Sequence, residues 1–144
     1  MKNNNFVMSY SIKELPDVVG RLENLLRSYR VLSFSGDLGA GKTTVIRALL
    51  RRLGVNSPIK SPTFNYVNRY STVGGVDVYH FDLYRIIDQQ QFLSLGLEEF
   101  LYQLNSLVFI EWPEVIKPML ARGVCSITLE GTSGEERILV VVCE

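Results

Sequence analysis

A surplus of one charge is missing from this chain. Its 144 residues carry 15 Lys and Arg against 15 Asp and Glu, so the formal net charge is zero. Broad, unspecific binding to nucleic acid needs an excess of cations, so that class is set aside and only a local basic patch stays open. Long apolar runs are missing too. None approaches the roughly 20 residues a helix needs to cross a bilayer. Met1-Lys2-Asn3-Asn4-Asn5 is polar, with no long apolar segment behind it, so neither an anchor nor a signal peptide is expected. Cysteine and histidine are scarce, at two and one. A soft-metal site needs more ligands at closer spacing. Cys125 and Cys143 lie far apart in apolar, strand-like runs, and the expectation is two buried thiols in a reducing, cytoplasmic setting.

What is present points elsewhere. Apolar residues make up 47% of the chain and charged residues 21%, a globular balance, and the length suits one domain over residues 1–144 with a real core. Gly36-Asp37-Leu38-Gly39-Ala40-Gly41-Lys42-Thr43-Thr44 fits G-x-x-x-x-G-K-[ST], the phosphate-binding P-loop. At average composition the pattern arises about once in 30,000 positions, so a chance match in so short a chain is a remote reading. Context strengthens it. The apolar run Val31-Leu32-Ser33-Phe34 precedes the loop, and a helical run from Val45 to Leu53 follows. Glycines let backbone approach the phosphates, and their N–H groups form an anion nest. The helix opening at Lys42 adds unsatisfied N–H groups and the positive end of its dipole. Lys42 brings a mobile cation, and the Thr43 hydroxyl is expected on Mg²⁺. The nucleotide-contacting set is therefore Asp37, Leu38, Gly39, Ala40, Gly41, Lys42, Thr43 and Thr44.

The remaining segments read as a mixed order. Phe6 to Ser11 is strand-like. Leu15 to Arg27 has helical spacing, with Ser11 and Glu14 placed for a capping box. Arg30 to Phe34 is the strand that feeds the loop, and Gly54 suits the end of the following helix. Two prolines make residues 57–63 a loop. Phe64 to Tyr70 and Val76 to Asp82 read as a hairpin about Gly74-Gly75. Phe92 to Leu104 reads as mostly helix, and Ser106 to Ile110 as a buried strand. Val124 to Leu129 and Ile138 to Cys143 are strands joined through residues 131–134. Some strands alternate with helices and others pair as hairpins. The fold class is α/β, one P-loop domain with a partly parallel, partly antiparallel sheet flanked by helices.

A P-loop binds nucleotide without defining a reaction; hydrolysis also needs a carboxylate near Mg²⁺ and a group that orients the nucleophile. Glu111 ends the apolar run Leu107-Val108-Phe109-Ile110, where ligands gather in open α/β sheets. The alternative is a solvated carboxylate at a strand end. In His80-Phe81-Asp82-Leu83-Tyr84-Arg85, alternation puts His80, Asp82 and Tyr84 on one face; the alternative is the polar face of an edge strand. Asp77 sits near a turn. Thr63, in Ser61-Pro62-Thr63-Phe64, follows the P-loop helix where many such proteins sense the γ-phosphate. Trp112 either packs near the nucleotide or covers the core edge. Arg51-Arg52 reads as a solvated helix face rather than a phosphate clamp.

Taken together, the P-loop, Ser61-Pro62-Thr63-Phe64, His80-Phe81-Asp82-Leu83-Tyr84-Arg85 and Ile110-Glu111-Trp112-Pro113-Glu114 occur in the order of the bacterial TsaE (YjeE) ATPases, and Leu95-Gly96-Leu97-Glu98-Glu99-Phe100 is similar to that family's helix. The P-loop is generic, but its combination with the H-x-D-x-Y-R and E-W blocks is specific. The resemblance implies an accessory Mg²⁺-dependent ATPase in tRNA threonylcarbamoyladenosine biosynthesis. Its partners would be TsaD and TsaB homologues, whose turnover it supports; its action on tRNA would be indirect. Carried over, Lys42, Asp82 and Glu111 are catalytic, Thr43, Glu111 and Asp82 serve Mg²⁺, and ATP is the nucleotide. A small-molecule kinase remains the enzymatic alternative, though no Arg-rich lid follows the P-loop. A GTPase is disfavoured by the lack of an N-K-x-D segment. An ATP-gated binding module without required hydrolysis is the non-enzymatic alternative.

Overall fold

Seven strands form one sheet in the computed structural model, which describes residues 4–62 and 64–144. They are β1 (Phe6–Tyr10), β2 (Val31–Ser35), β3 (Val67–Ser71), β4 (Asp77–Asp82), β5 (Ser106–Glu111), β6 (Val124–Gly131) and β7 (Arg137–Cys143). Across the sheet the order is β1-β7-β6-β2-β5-β4-β3. β2, β4, β5 and β6 run parallel, while β1–β7, β6–β7 and β3–β4 are antiparallel pairs. This is the α/β class with a mixed sheet. β2 lies at its centre, and a strand packed on both faces has no polar side to show, hence its apolar run.

The helices α1 (Leu15–Leu25) and α2 (Lys42–Arg52) cover one face. Val18, Leu22, Ile46, Leu49 and Leu50 pack there against Leu32, Phe34, Ile127 and Val141. Burial of such side chains stabilises the fold by about 1.5–3 kcal/mol each. α1 is preceded by a 3₁₀ turn in which the Glu14 carboxylate accepts from the Ser11 N–H at 3.0 Å, as the capping-box spacing predicts. Gly54 ends α2 with φ +86°. On the opposite face, α3 (Gln89–Ser94) and a 3₁₀ turn at Leu97–Phe100 close over β4 and β5 through Phe92, Leu97 and Leu101.

Three expectations need correction. The helix read over Phe92 to Leu104 is two short pieces. Asp88 caps α3 by accepting from the Gln91 N–H at 2.8 Å, so the helix starts before Phe92. Gly96 then turns left-handed at φ +72° and ends it. The strand read from Phe64 starts at Val67, because Tyr66 has φ +63° and its N–H donates to Pro62 O. Thr63 lies outside the described residues.

The cysteines are not free thiols. Val124 and Glu144 exchange main-chain hydrogen bonds, which makes Cys125 and Cys143 the next, non-hydrogen-bonded pair of the β6–β7 ladder. Their Cα atoms lie 4.0 Å apart and the sulfurs are bonded. Side chains come closest at such positions, and the sequence separation of 18 residues concealed it. Closing a loop of this length stabilises the folded chain by about 3 kcal/mol in the chain-entropy model. Urea unfolding with and without reductant is expected to differ by roughly that amount; superimposable curves would rule the bond out.

Candidate functional site

β2 delivers the chain into the Gly36–Gly41 loop at the carboxyl edge of the parallel strands. A Cβ on Gly36 would lie 2.4 Å from the Leu129 main-chain oxygen, so only glycine lets the loop start this close to β6. Gly41 precedes α2 in a left-handed conformation, φ +102°, which turns the loop onto the helix axis. The loop and the first residues of α2 line a cavity of about 310 Å³, with Leu38, Gly39, Gly41, Lys42, Thr43 and Thr44 on one side. Asp82, Tyr84, Glu111 and Trp112 form the other side. Asp37 and the buried Ala40 face away, toward β6, so their side chains do not line it.

Alternation along β4 and β5 turns His80 and Glu111 toward α2, and the register pairs Asp82 directly with Glu111. Glu111 is 2% exposed, and both its oxygens are engaged. Thr43 Oγ1 donates to Oε1 at 2.7 Å, and His80 Nε2 lies 2.7 Å from Oε2. His80 Nδ1, fully buried, has no hydrogen-bond partner among the described residues. Asp82 stands beside this pair at the cavity wall. It accepts from the Tyr84 N–H at 3.1 Å and, weakly, from Ser61 Oγ at 3.5 Å. Burial, with the neighbouring Glu111 charge, raises its pKa above the usual carboxylate value, against the Tyr84 N–H and His80, which lower it.

Lys42 is 5% exposed. Its ammonium donates to the main-chain oxygens of Gly36 and Asp37, and sits 3.9 Å from the centre of the Trp112 ring. Burial lowers its pKa, opposed by Glu111, Glu114, Asp37 and Asp82. Trp112 therefore borders the cavity and holds the ammonium by a cation–π contact. It does so with φ +59°, a conformation rare for a bulky residue and one that concentrates at functional sites. Tyr84 stacks on it at 5.0 Å.

The donors suit a hard cation. Thr43, Glu111 and Asp82 all offer oxygen donors, and all three line the cavity beside the glycine loop. No cluster of three or more His, Cys, Asp or Glu able to hold a metal by protein alone exists among the described residues. Mg²⁺ binds in this manner, through one or two carboxylates with phosphates and water completing its shell.

Other sequence candidates fall elsewhere. Arg85 lies over the Phe64 ring at 5.7 Å, outside the cavity lining. Asp77 pairs with Arg69 at the far end of β4. Arg52 pairs with Glu23, and Arg51 donates to Val55 and Ser57 oxygens, so neither is a clamp. Sequence reasoning missed a second cavity, about 210 Å³, that shares Gly39, Gly41 and Thr44 with the first. Tyr10, Ile12 and Leu15 give it an apolar wall, with Glu135 and Arg137 opposite. Only pairing of β1 with β7 brings those segments together.

Comparison with known proteins finds sequence relatives and a structural neighbour. Residues 9–139 match the family model described as threonylcarbamoyl adenosine biosynthesis protein TsaE. Curated relatives named tRNA threonylcarbamoyladenosine biosynthesis protein TsaE include one from Rickettsia felis, 35% identical over 84% of this chain and 70% of its own length. Another, from Rickettsia typhi, is 34% identical over 89% of this chain and 88% of its own. A third, from Nostoc, is 44% identical over 65% of this chain and 58% of its own. Among solved structures, the crystal structure of Bacillus subtilus YdiB is similar in fold, with a TM-score of 0.72 over 100% of this chain and 89% of that one, at 23% identity.

The chain has a single tryptophan, which reports on the cavity directly. A triphosphate that draws the Lys42 ammonium off the ring is expected to change Trp112 fluorescence saturably with added ATP and Mg²⁺, and Lys42→Ala to abolish the change. An ATP titration that leaves the emission flat would separate Trp112 and Lys42 from the nucleotide.

Proposed function

This chain belongs to the TsaE family of tRNA threonylcarbamoyladenosine biosynthesis proteins, and we propose that within that pathway it is a Mg²⁺-dependent ATPase that supports turnover of TsaB and TsaD homologues. The observation that carries the reading is the linkage of Thr43, Glu111 and His80 beside the P-loop, with Asp82 adjacent. Thr43, in the first turn of the P-loop helix, and the carboxylate at the end of β5 are already in one hydrogen-bonded unit, which supports binding of a Mg²⁺-nucleotide there.

In this reading the loop N–H groups and Lys42 hold the phosphates. Lys42 leaves its main-chain acceptors and the Trp112 ring to do so. Bound Mg²⁺ would be held by Thr43 with Glu111 or Asp82, and would offset charge on the phosphate oxygens. Asp82, whose proton affinity is raised, orients the water that attacks the γ-phosphorus; the bond to the ADP oxygen breaks as the new P–O bond forms. Thr44, at the junction of the two cavities, lies toward the α-phosphate, and the adenosine extends between Tyr10, Ile12 and Leu15.

No arginine lines the phosphate cavity among the described residues. Hydrolysis by the lone protein is therefore slow, and partners supply or organise the missing charge. ATPase rates measured with and without the TsaB–TsaD homologues are expected to differ by at least about tenfold; equal rates refute activation by partners. Glu111→Gln and Asp82→Asn are expected to keep nucleotide binding while lowering turnover by about 100-fold or more. Full complementation by both variants would favour an ATP-gated binding module instead. Ile12→Glu is expected to weaken ATP binding, measured by calorimetry, without weakening inorganic triphosphate; parallel losses would move the adenosine out of the second cavity.

A further inference from the structure

A cavity on the other side of the sheet from α2 has no place in that chemistry. It measures about 410 Å³, larger than the phosphate cavity, and lies between β2, the start of β6 and the β5–β6 connection. Its floor is polar where the fold predicts apolar. Ser33 sits in the middle of β2, the strand packed on both faces, and the register sets it directly beside Ser126 of β6. Valine or isoleucine would fill this position at no polar cost. Ser33 is 1% exposed, and its hydroxyl has no hydrogen-bond partner among the described residues.

The rim is cationic. Lys117 and Arg122, both exposed, line the cavity, and neither side chain makes an ion pair or hydrogen bond among the described residues. The Glu144 side chain is the one acidic group in the lining. Its main-chain oxygen is already occupied by the Gly123 and Val124 N–H groups. Two hydroxyls on the floor and two cations on the rim offer donors to a single guest. Two cations match the charge of a phosphate monoester, about −2 at neutral pH, where a carboxylate carries a single negative charge. The remaining volume, over Leu120 and Val124, has room for an organic substituent.

We propose that this cavity is a second anion site, separate from the P-loop, that binds a phosphate monoester through Ser33, Ser126, Lys117 and Arg122. The site is independent of ATP hydrolysis and of the nucleotide reading above. Its ligand chemistry has two sources, a free small-molecule monoester or the terminal phosphate of a nucleic acid strand.

The test is a titration of ¹⁵N-labelled full-length protein with inorganic phosphate at constant ionic strength, read residue by residue. Saturable amide shifts are expected at Ser33, Gly123 and Ser126, with their own dissociation constant, whatever occurs at residues 36–44. Replacing both exposed cations, Lys117→Ser with Arg122→Ser, is expected to weaken that constant at least about tenfold. Glu144→Gln is expected to tighten it. Ser33→Ala is expected to weaken it while leaving P-loop shifts unchanged. Shifts confined to residues 36–44, non-saturating shifts at Ser33 and Ser126, or an unchanged constant in the double variant would each overturn the site and leave the P-loop reading standing. Titration with glycerol phosphate and with a 5′-phosphorylated RNA oligomer separates the sources. Saturation by either supports a monoester site, and tighter binding of the oligomer assigns it to a strand end. Equal affinity for an unphosphorylated oligomer would overturn it.

Discussion

Glu111 is a carboxylate taken almost wholly out of water, and such a group is tolerated only when its oxygens are satisfied. One oxygen is bound by Thr43 at the first turn of α2 and the other by His80 on β4. The requirement of a single side chain therefore joins three elements that are distant in sequence. It sets where α2 begins relative to the sheet and how β4 lies against β5. The loop between β2 and α2 inherits its position from the same junction, since Trp112, the next residue, donates its N–H to Phe34 O at 3.2 Å.

That junction also explains why ordinary preferences are violated nearby. Trp112 adopts a left-handed backbone, a lysine is nearly buried, and a histidine nitrogen is left without a partner. Each is a local cost of about 1–3 kcal/mol, and each lies within the same few residues. Ser33 apart, the core elsewhere is conventional, with aliphatic and aromatic side chains filling both faces of β4 and β5. Strain concentrated at one end of a well-packed sheet is the pattern of a site preorganised by its scaffold.

Much of this was legible in the residues. Glycine spacing, the preceding apolar strand and the following helix together carry the P-loop, because each is a local pattern with a local cause. Alternation correctly put His80 and Asp82 on one face, and the apolar run before Glu111 placed it at a strand's carboxyl end. What failed was set at a distance or by a single dihedral. The helix read from Phe92 ignored the left-handed turn at Gly96 and the Asp88 cap. The cysteine pair depends on β6–β7 register, and the second cavity on β1 meeting β7, neither of which periodicity contains. Ser33 passed as part of an apolar strand, because its neighbour Ser126 is 93 residues away in a register only the sheet reveals.

The central strand has a consequence for how the molecule is made. β2 and α2 leave the ribosome early, yet both neighbours of β2 come from β5 and β6, much later in the chain. Until β5 emerges the glycine loop has no strand beside it, and until residues near 131 emerge it has one on a single side. The loop is thus held on both sides only late in translation, when two distant strands have closed around a third.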